Sequence, residues 1–443
     1  MSTDNARQVA AKHTYGTWRR QRGWNPMHMV SASGSHFIDS DGKKWLDFSS
    51  QLMCSNLGHD NKAVIEAIKQ QADELAFAAP GYATTARKSL VEALLPIMPP
   101  GLTKFFFTTS GTEANEAAVK IARMYTGKHK IISRYASYHG STSASISLTG
   151  DFRRWPVEGK DTVPGTVFAP DAYCYRCPLK QKPDTCGLAC ADYVEYMIER
   201  ESNVAAMIIE PVVGTNGVIL PPAGYLKRLR EITKKHGVLL ICDEVMCGWG
   251  RTGEWFVSSA EGITPDILTT AKGISSAYVP LGLTATTQEI AAFFDDNYFA
   301  HGHTYEAHPI TLGPAVAAIN EYKRLGLLER AKDVGERFGK KLRELCAKHP
   351  SVGDVRGRGL FWAVELVKDQ VTRTPFNTQA EKLAGIPLVT DQVVAKMGTM
   401  GVVCVGWASH LVIAPPLIIT EAELDEGLAA LDEGLKVADA KVS

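Results

Sequence analysis

Short apolar runs alternate with amphipathic stretches through the middle of the chain. The short runs predict strands, and the stretches between them carry apolar residues at helical spacing. The predicted strands are Lys104–Thr109, Lys130–Arg134, Ala206–Glu210, Val238–Asp243, Ile267–Ala271 and Leu281–Thr286. The predicted helices are Glu113–Met124, Ala191–Arg200 and Gly224–Lys235. This alternation predicts an α/β fold with a mostly parallel sheet covered by helices on both faces.

The two ends of the chain follow a different pattern. Ser33–Phe48 predicts a hairpin with Asp41-Gly42 at its turn. The C-terminal part predicts a long helix, strand regions around another helix, and a last helix, at Ala315–Cys346, Val352–Leu366, Val402–Ile419 and from Glu421. The two ends therefore predict a smaller α+β domain. We expect an N-terminal segment over residues 1–60 that joins this small domain, a large domain over 61–330, and the C-terminal small domain over 331–443.

Composition narrows the class of protein. The chain has 443 residues, with 48 Lys+Arg against 48 Asp+Glu, and is long enough for at least two domains. A net charge of zero gives no reason to expect nucleic acid or an anionic membrane as a partner, and no apolar run approaches a membrane span. The N-terminus, Met1–Arg7, is polar and lacks the layout of a secretory signal, which predicts the cytoplasm.

The nine cysteines are an odd number at low density, which argues against a disulfide scaffold. Four of them form two spaced pairs, Cys174 with Cys177 and Cys186 with Cys190. Paired thiols of this kind can hold a structural zinc. The extra residue in the second pair also fits a surface segment whose thiols stay free, so both interpretations stay open and no metal is assigned to a catalytic site.

Asp243 and Lys272 carry the most specific chemical signal, because each follows or ends a predicted buried strand. Pyridoxal phosphate needs a carboxylate that keeps the pyridine nitrogen protonated and a lysine that holds the aldehyde as a Schiff base. Either residue alone is weak evidence, since a strand-end aspartate is often a cap and a lysine is usually solvated. The interpretation depends on what else lies at the same edge of the sheet.

A turn from a strand into a helix, Ser110-Gly111-Thr112, is a candidate phosphate site. A helix start offers free N–H groups and a partial positive charge, and hydroxyls can add hydrogen bonds. The alternative is a capped helix and nothing more, because Glu113 completes a good capping sequence. Tyr138 could stack on a planar ring or be an ordinary turn tyrosine.

In this order along the chain, the motifs resemble the class III aminotransferases, a group of fold type I pyridoxal phosphate enzymes that includes the ω-amino acid:pyruvate and taurine:pyruvate transaminases. The resemblance extends over nearly the whole chain. It rests on Thr109-Ser110-Gly111-Thr112-Glu113-Ala114-Asn115, Tyr138-His139-Gly140, Glu210-Pro211, Asp243-Glu244-Val245, Gly248-x-Gly250-Arg251-Thr252-Gly253, Lys272-Gly273 and Ala414-Pro415-Pro416-Leu417. It implies a large domain with a mixed, mostly parallel seven-stranded sheet and a homodimer or homotetramer.

The resemblance also implies residue roles. Lys272 would form the Schiff base and later move a proton, and Asp243 would pair with the ring nitrogen. Val245 would lie under the ring and Tyr138 over it. The implied cofactor-binding residues are Ser110, Gly111, Thr112, Tyr138, His139, Gly140, Glu210, Asp243, Val245, Lys272 and, from the partner subunit, Thr304.

The substrate side departs from the family pattern. Thr215 and Val412 stand where some members have a glutamate–arginine pair, and no arginine follows Arg373. The usual guanidinium clamp on a substrate carboxylate is therefore absent from its expected place. The residues that could replace it are His410, Lys43, Arg153 and Arg154.

By analogy, the pocket residues are Trp24, Leu52, Met53, Cys54, Tyr82 and Trp407, of which some could instead fill the core. This set suits a hydrophobic amine at least as well as β-alanine or taurine. The implied function is transfer of an amino group from such a donor to a keto acid, pyruvate in particular. The alternatives are an aminomutase, racemase or decarboxylase on the same scaffold, or a cofactor-binding protein without turnover.

Overall fold

A computed structural model describes residues 4–442. Its strands are β1 Met29–Ser33, β2 His36–Asp39, β3 Lys44–Asp47, β4 Leu102–Thr108, β5 Lys130–Arg134, β6 Thr166–Ala169, β7 Val204–Ile209, β8 Leu239–Asp243, β9 Ile267–Thr270, β10 Gly282–Thr287, β11 Val352–Arg358, β12 Phe361–Asp369, β13 Thr374–Pro375, β14 Val402–Val403, β15 Val405–Gly406 and β16 His410–Ile413. Its helices are α1 Asp4–His13, α2 Ser50–Met53, α3 Lys62–Glu74, α4 Thr85–Leu94, α5 Gly111–Thr126, α6 Ser143–Leu148, α7 Ala189–Glu201, α8 Tyr225–Lys235, α9 Val257–Ala260, α10 Gln288–Asp296, α11 Pro309–Arg324, α12 Leu327–Cys346, α13 Gln379–Ala384, α14 Val389–Thr399 and α15 Glu421–Asp439.

A seven-stranded sheet forms the centre of the molecule, in the order β4-β10-β9-β8-β7-β5-β6. β10 runs antiparallel to β4 and β9, and the pairs from β9 to β6 are parallel. All residues of β7 and β8 are buried, as expected for central strands with helices on both faces. The predicted α/β fold with a mixed, mostly parallel seven-stranded sheet is confirmed.

The six strands predicted from the sequence lie within two residues of their observed bounds, and the seventh was missed. β6 pairs only with β5, at the edge of the sheet. Three of its four residues are half-buried. A short edge strand of this kind lacks the continuous apolar run by which the central strands were identified.

Two smaller sheets bring the chain ends together. In the first, β14 adds parallel to β3 of the predicted N-terminal hairpin, so residues 402–403 pair with residues 46–47. The second has the order β11-β12-β16-β15. The domain boundaries at residues 60 and 330 stay a prediction. Residues 1–3, which contributed to the prediction that no secretory signal is present, lie outside the described residues.

The prediction of one long helix over Ala315–Cys346 is wrong, because two helices form there. Two helices, α11 and α12, meet at Gly326, whose φ of +56° lies in the left-handed region. Glycine adopts this conformation at little cost, so the chain turns there although the apolar spacing continues on both sides.

Three further observations bear on class and sites. No helix within residues 4–442 has both the length and the apolar character needed to cross a membrane. All nine cysteines are free thiols, and the four that form the two spaced pairs line one small cavity. Over the same residues, no group of three or more His, Cys, Asp or Glu side chains is arranged to hold a metal ion.

We expect Gly335→Ala to destabilise the protein, although alanine is the better helix former. A Cβ at Gly335 in α12 would lie 2.2 Å from the carbonyl oxygen of Gly359, which is backbone and cannot rotate away. Overpacking of this kind lowers the free energy of unfolding by about 1–3 kcal/mol. Urea unfolding measures it, with Lys340→Ala on the exposed face of α12 as the control. A Gly335→Ala protein as stable as the wild type would contradict this packing.

Candidate active site

Four predicted site residues lie at the carboxyl edge of the large sheet. Tyr138, Glu210, Asp243 and Lys272 lie at or just beyond the ends of β5, β7, β8 and β9. β8 and β9 are parallel neighbours in which Asp243 pairs with Thr269. Because parallel strands end at the same edge, this register brings the aspartate and the lysine to the same edge of the sheet.

The carboxylate of Asp243 is buried and has a hydrogen-bond partner at each oxygen. Its Oδ2 accepts a hydrogen bond from Asn115 Nδ2 at 2.8 Å and lies 2.8 Å from His139 Nδ1. Its Oδ1 accepts one hydrogen bond, from the N–H of Val245 at 3.1 Å. A buried carboxylate is tolerated only with such partners. Oδ1 keeps the capacity to accept a further proton donor.

Asn115 is a site residue for which sequence reasoning assigned no role. Its Nδ2 also donates to the carbonyl of His139 at 2.7 Å, and its Oδ1 accepts the hydroxyl of Thr269 at 2.7 Å. One amide thus ties α5 to β8, to β9 and to the loop after β5. The signal in the sequence was an amide on a helix face whose neighbours, Ala114 and Ala118, are small and buried.

Lys272 lies in a short 3₁₀ turn just after β9, with a φ of +47°. Its side chain is half-buried, and burial lowers the pKa of the amine. Within residues 4–442, no hydrogen bond or ion pair holds its Nζ. A lysine with a lowered pKa and no fixed partner is available for proton transfer or covalent chemistry.

The start of α5 serves both as a cap and as a set of free donors. The Ser110 hydroxyl accepts the N–H of Glu113 at 3.4 Å, and the Glu113 carboxylate accepts the N–H of Thr109 at 2.8 Å. The N–H groups of Gly111 and Thr112 are in the first turn and have no intrahelical acceptor. The turn can therefore cap the helix and still offer N–H groups to a phosphate.

Close packing fixes the surroundings of this helix start. A Cβ at Gly111 would lie 2.9 Å from Val245 Cγ2, so the helix start packs against the second residue beyond β8. The Thr112 hydroxyl accepts the N–H groups of Ser141 and Thr142 at 3.0 and 3.1 Å. A Cβ at Gly140 would lie 2.3 Å from the same hydroxyl. Thr112 therefore anchors the loop after His139.

Tyr138 is positioned by its backbone and covered on its ring. Its N–H donates to Glu210 Oε1 at 3.0 Å, while Glu210 Oε2 accepts the N–H of Gly214 at 2.8 Å. Burial raises the pKa of the Glu210 carboxyl. The guanidinium of Arg153 lies 3.6 Å from the centre of the tyrosine ring, and the ring of Trp18 meets it edge to face with the two ring centres 6.0 Å apart.

Arg153 brings a positive charge into the predicted apolar pocket. Its Nε donates to both carboxylate oxygens of Asp151 at 3.0 Å, and its Nη2 donates to the hydroxyl of Thr215 at 2.8 Å. The same guanidinium lies 4.8 Å from the Trp407 ring, and Lys382 Nζ lies 4.9 Å from that ring. The position of Lys382 was not anticipated from the sequence.

Of the four residues that could replace the missing arginine, Arg153 is the one that faces Tyr138. Lys43 Nζ donates to the carbonyl of Gly398 at 2.6 Å, beside Trp45. Arg154 donates to the carbonyl of Thr149 at 2.8 Å and pairs with Glu158. His410 is buried against the Thr215 carbonyl.

The other predicted pocket residues lie in varied surroundings. Trp407 contacts Arg153, and Cys54 is half-buried and interacts electrostatically with Lys272. Met53 is 3 % exposed and belongs to the hydrophobic core, the alternative already considered for it. Trp24 packs against Gly16, and the ring that contacts Tyr138 is that of Trp18. The remaining two, Leu52 and Tyr82, are exposed in the single chain, as is Thr304, which was predicted to contact the cofactor from the partner subunit.

The chain is similar to proteins of one enzyme family over nearly its whole length. The family model for aminotransferase class-III matches residues 19–435. A taurine–pyruvate aminotransferase of Bilophila wadsworthia is 34% identical, covering 100% of this chain and 99% of that protein. A leucine/methionine racemase of Thermococcus litoralis is 34% identical, covering 93% of this chain and 90% of that protein. The crystal structure of taurine:2-oxoglutarate aminotransferase from Bifidobacterium kashiwanohense, in complex with pyridoxal phosphate and glutamate, superposes with a TM-score of 0.94 at 35% identity, covering 100% and 99% of the two chains.

We expect His410 to make the protein less stable in mild acid. Burial lowers the pKa of His410 from 6.5 to about 4, so the folded state resists a proton that the unfolded chain binds. The stability from this residue is therefore complete above pH 6.5 and is lost as the pH falls towards 4, by up to about 3 kcal/mol. Urea unfolding at several pH values should show a flatter dependence for His410→Gln than for the wild type. The exposed control His129→Gln should keep the wild-type dependence, and equal slopes in all three would contradict the assignment.

Proposed function

The chain belongs to the class-III aminotransferases, and we propose that the site around Lys272 moves an amino group from a small donor that carries an acidic group to a 2-oxo acid, with pyruvate as the acceptor. It is a pyridoxal-phosphate-dependent aminotransferase. The observation that supports the donor class is the Arg153 guanidinium beside the Tyr138 ring. The taurine–pyruvate relative supports both the donor and the acceptor.

The hydrogen-bonding groups at the sheet edge fit pyridoxal phosphate. Asp243 Oδ1 has one hydrogen bond and can accept another from a ring nitrogen. The first-turn N–H groups of Gly111 and Thr112 suit a phosphate, with the Ser110 hydroxyl beside them. The Thr112 hydroxyl already accepts two N–H groups of the loop it anchors. Thr112 would therefore contribute its backbone N–H to the phosphate. When bound, the cofactor supplies an electron sink for the carbon that loses a proton.

Separate residues of the chain would then protonate the cofactor, shield it from water and move the substrate proton. Asp243 would keep the cofactor nitrogen protonated, and its three partners keep the carboxylate oriented. Tyr138 and Val245 would lie on the two faces of the ring and exclude water from it. Lys272 Nζ takes the proton from the donor carbon and returns it, for which the lowered pKa favours the neutral amine.

Arg153 would bind the acidic group of the donor. It is 5 % exposed and its charge is balanced by Asp151, whose Oδ2 also accepts Asn216 Nδ2 at 2.9 Å. Its Nε donates to Asp151 and its Nη2 to Thr215, and the guanidinium lies near the rings of Tyr138 and Trp407. A guanidinium so held is suited to a carboxylate or sulfonate.

We further propose a homodimer or homotetramer in the cytoplasm. Leu52 and Tyr82, both predicted for the pocket, are 69 % and 68 % exposed in the single chain, and Thr304 is exposed as well. A second copy that covers these residues would complete the site. The nine free thiols favour a reducing compartment.

Lys272→Ala should lower kcat for alanine formation from pyruvate and an amine donor by more than about 100-fold, because the proton carrier is lost. The exposed substitution Lys234→Ala is the control and should leave the rate unchanged. Alanine formation from pyruvate also separates transamination from racemisation, because a racemase needs no acceptor. Continued transamination by the Lys272→Ala enzyme would contradict the assigned role.

Arg153 can be tested without stranding a buried charge. The double variant Asp151→Asn/Arg153→Gln keeps the pair neutral, and we expect kcat/KM for taurine and β-alanine to fall by about 10- to 100-fold, the value of one charged hydrogen bond. A neutral arylalkyl amine should lose much less. The single variant Arg153→Lys, which retains the charge, should lie in between. Equal losses for acidic and neutral donors would show that Arg153 only supports the fold.

A further inference from the structure

A concave region lined by none of the predicted site residues lies between the cysteine-containing segment and the β11 edge of the small sheet. Its volume is about 900 Å³, within the range of small-molecule sites. The charged side chains in its lining are those of Arg176, Lys180, Lys182, Asp354, Arg356 and Arg373. We call this region the basic groove.

Part of this charge is balanced within the protein. Arg356 pairs with Asp354 at 2.9 Å and with Glu365 at 2.8 Å. Arg176 pairs with Glu365 at 3.1 Å. Two arginines and two carboxylates therefore form a neutral, largely buried cluster that makes up the wall of the groove.

Three other cations that line the groove are not neutralised by carboxylates of the described part of the protein. Arg373 donates to the carbonyl of Tyr175 and lies 4.8 Å from the centre of its ring, whereas Lys180 and Lys182 are exposed. Within residues 4–442, none of the three forms an ion pair with a carboxylate. The whole chain is neutral, with 48 cationic and 48 acidic residues, so this excess is local.

We propose that the basic groove binds a small polyanion that carries phosphate or carboxylate groups with about three negative charges, through Lys180, Lys182 and Arg373. Ammonium and guanidinium groups bind both kinds of anion, and the guanidinium favours two-point contacts. Exposed charges are screened within about 8 Å at physiological salt, so a ligand must contact the groove rather than be held at a distance. A polyanion that bridges three cations satisfies this condition.

Calorimetric titration of the cofactor-loaded enzyme tests the proposal, because the loaded cofactor occupies the phosphate site near Lys272. Pyrophosphate and citrate are titrated separately at physiological salt, and saturable binding of one ligand per chain is expected for at least one of them. Binding of pyrophosphate alone identifies a phosphate ligand, and binding of citrate alone identifies a carboxylate ligand.

The variant Lys180→Ala/Lys182→Ala/Arg373→Ala should weaken this binding by more than about tenfold. The control Lys69→Ala/Lys88→Ala/Arg337→Ala removes the same charge from exposed helix positions and should bind as the wild type does. Lys180→Arg/Lys182→Arg should retain binding, and thermal unfolding checks that all variants fold. The proposal is overturned by three outcomes: no saturable binding of either ligand, equal weakening in the control, or binding only of a long polyanion such as heparin.

Discussion

The buried carboxylate of Asp243 is the constraint around which the site is organised. A charge removed from water is stable only when its hydrogen-bonding capacity is met, and here the partners come from separate parts of the chain. Asn115 comes from α5, His139 from the loop after β5, and Val245 from the chain just beyond β8. Satisfying one aspartate therefore also positions the helix start and the tyrosine loop that we assign to the cofactor.

A short loop extends this organisation outward to the substrate side. In residues 214–218, the N–H of Gly214 binds the buried carboxylate that also holds the Tyr138 backbone. Thr215 accepts a hydrogen bond from Arg153, and the carbonyl of Gly217 accepts one from Arg356 at 2.6 Å. The backbone of this loop thus joins the hydrogen bond of the pocket arginine to that of Arg356 in the wall of the basic groove.

The sequence was sufficient where chemistry and local pattern coincide. Asp243 ends one short apolar run and Lys272 follows another, both runs were predicted as buried strands, and parallel strands bring their ends together. It was insufficient where the answer depends on long-range packing. Arg153 and Lys382 reach the pocket through contacts with Trp407 that no local spacing encodes. Similarly, Trp18 rather than Trp24 meets the tyrosine ring, because the path of an irregular N-terminal segment decides which indole arrives there.

The single antiparallel strand has a consequence for how the molecule assembles. β4 touches the large sheet only through β10, so it has no pairing partner until residues 282–287 have left the ribosome. Bringing such distant segments together is slow, because the entropy of closing the intervening chain must be lost first. The helix start that follows β4 is therefore among the last parts of the sheet edge to be completed. Until then both edges of β4 are unpaired and can pair with other chains. Binding of the cofactor therefore requires that synthesis and folding of the large sheet are finished.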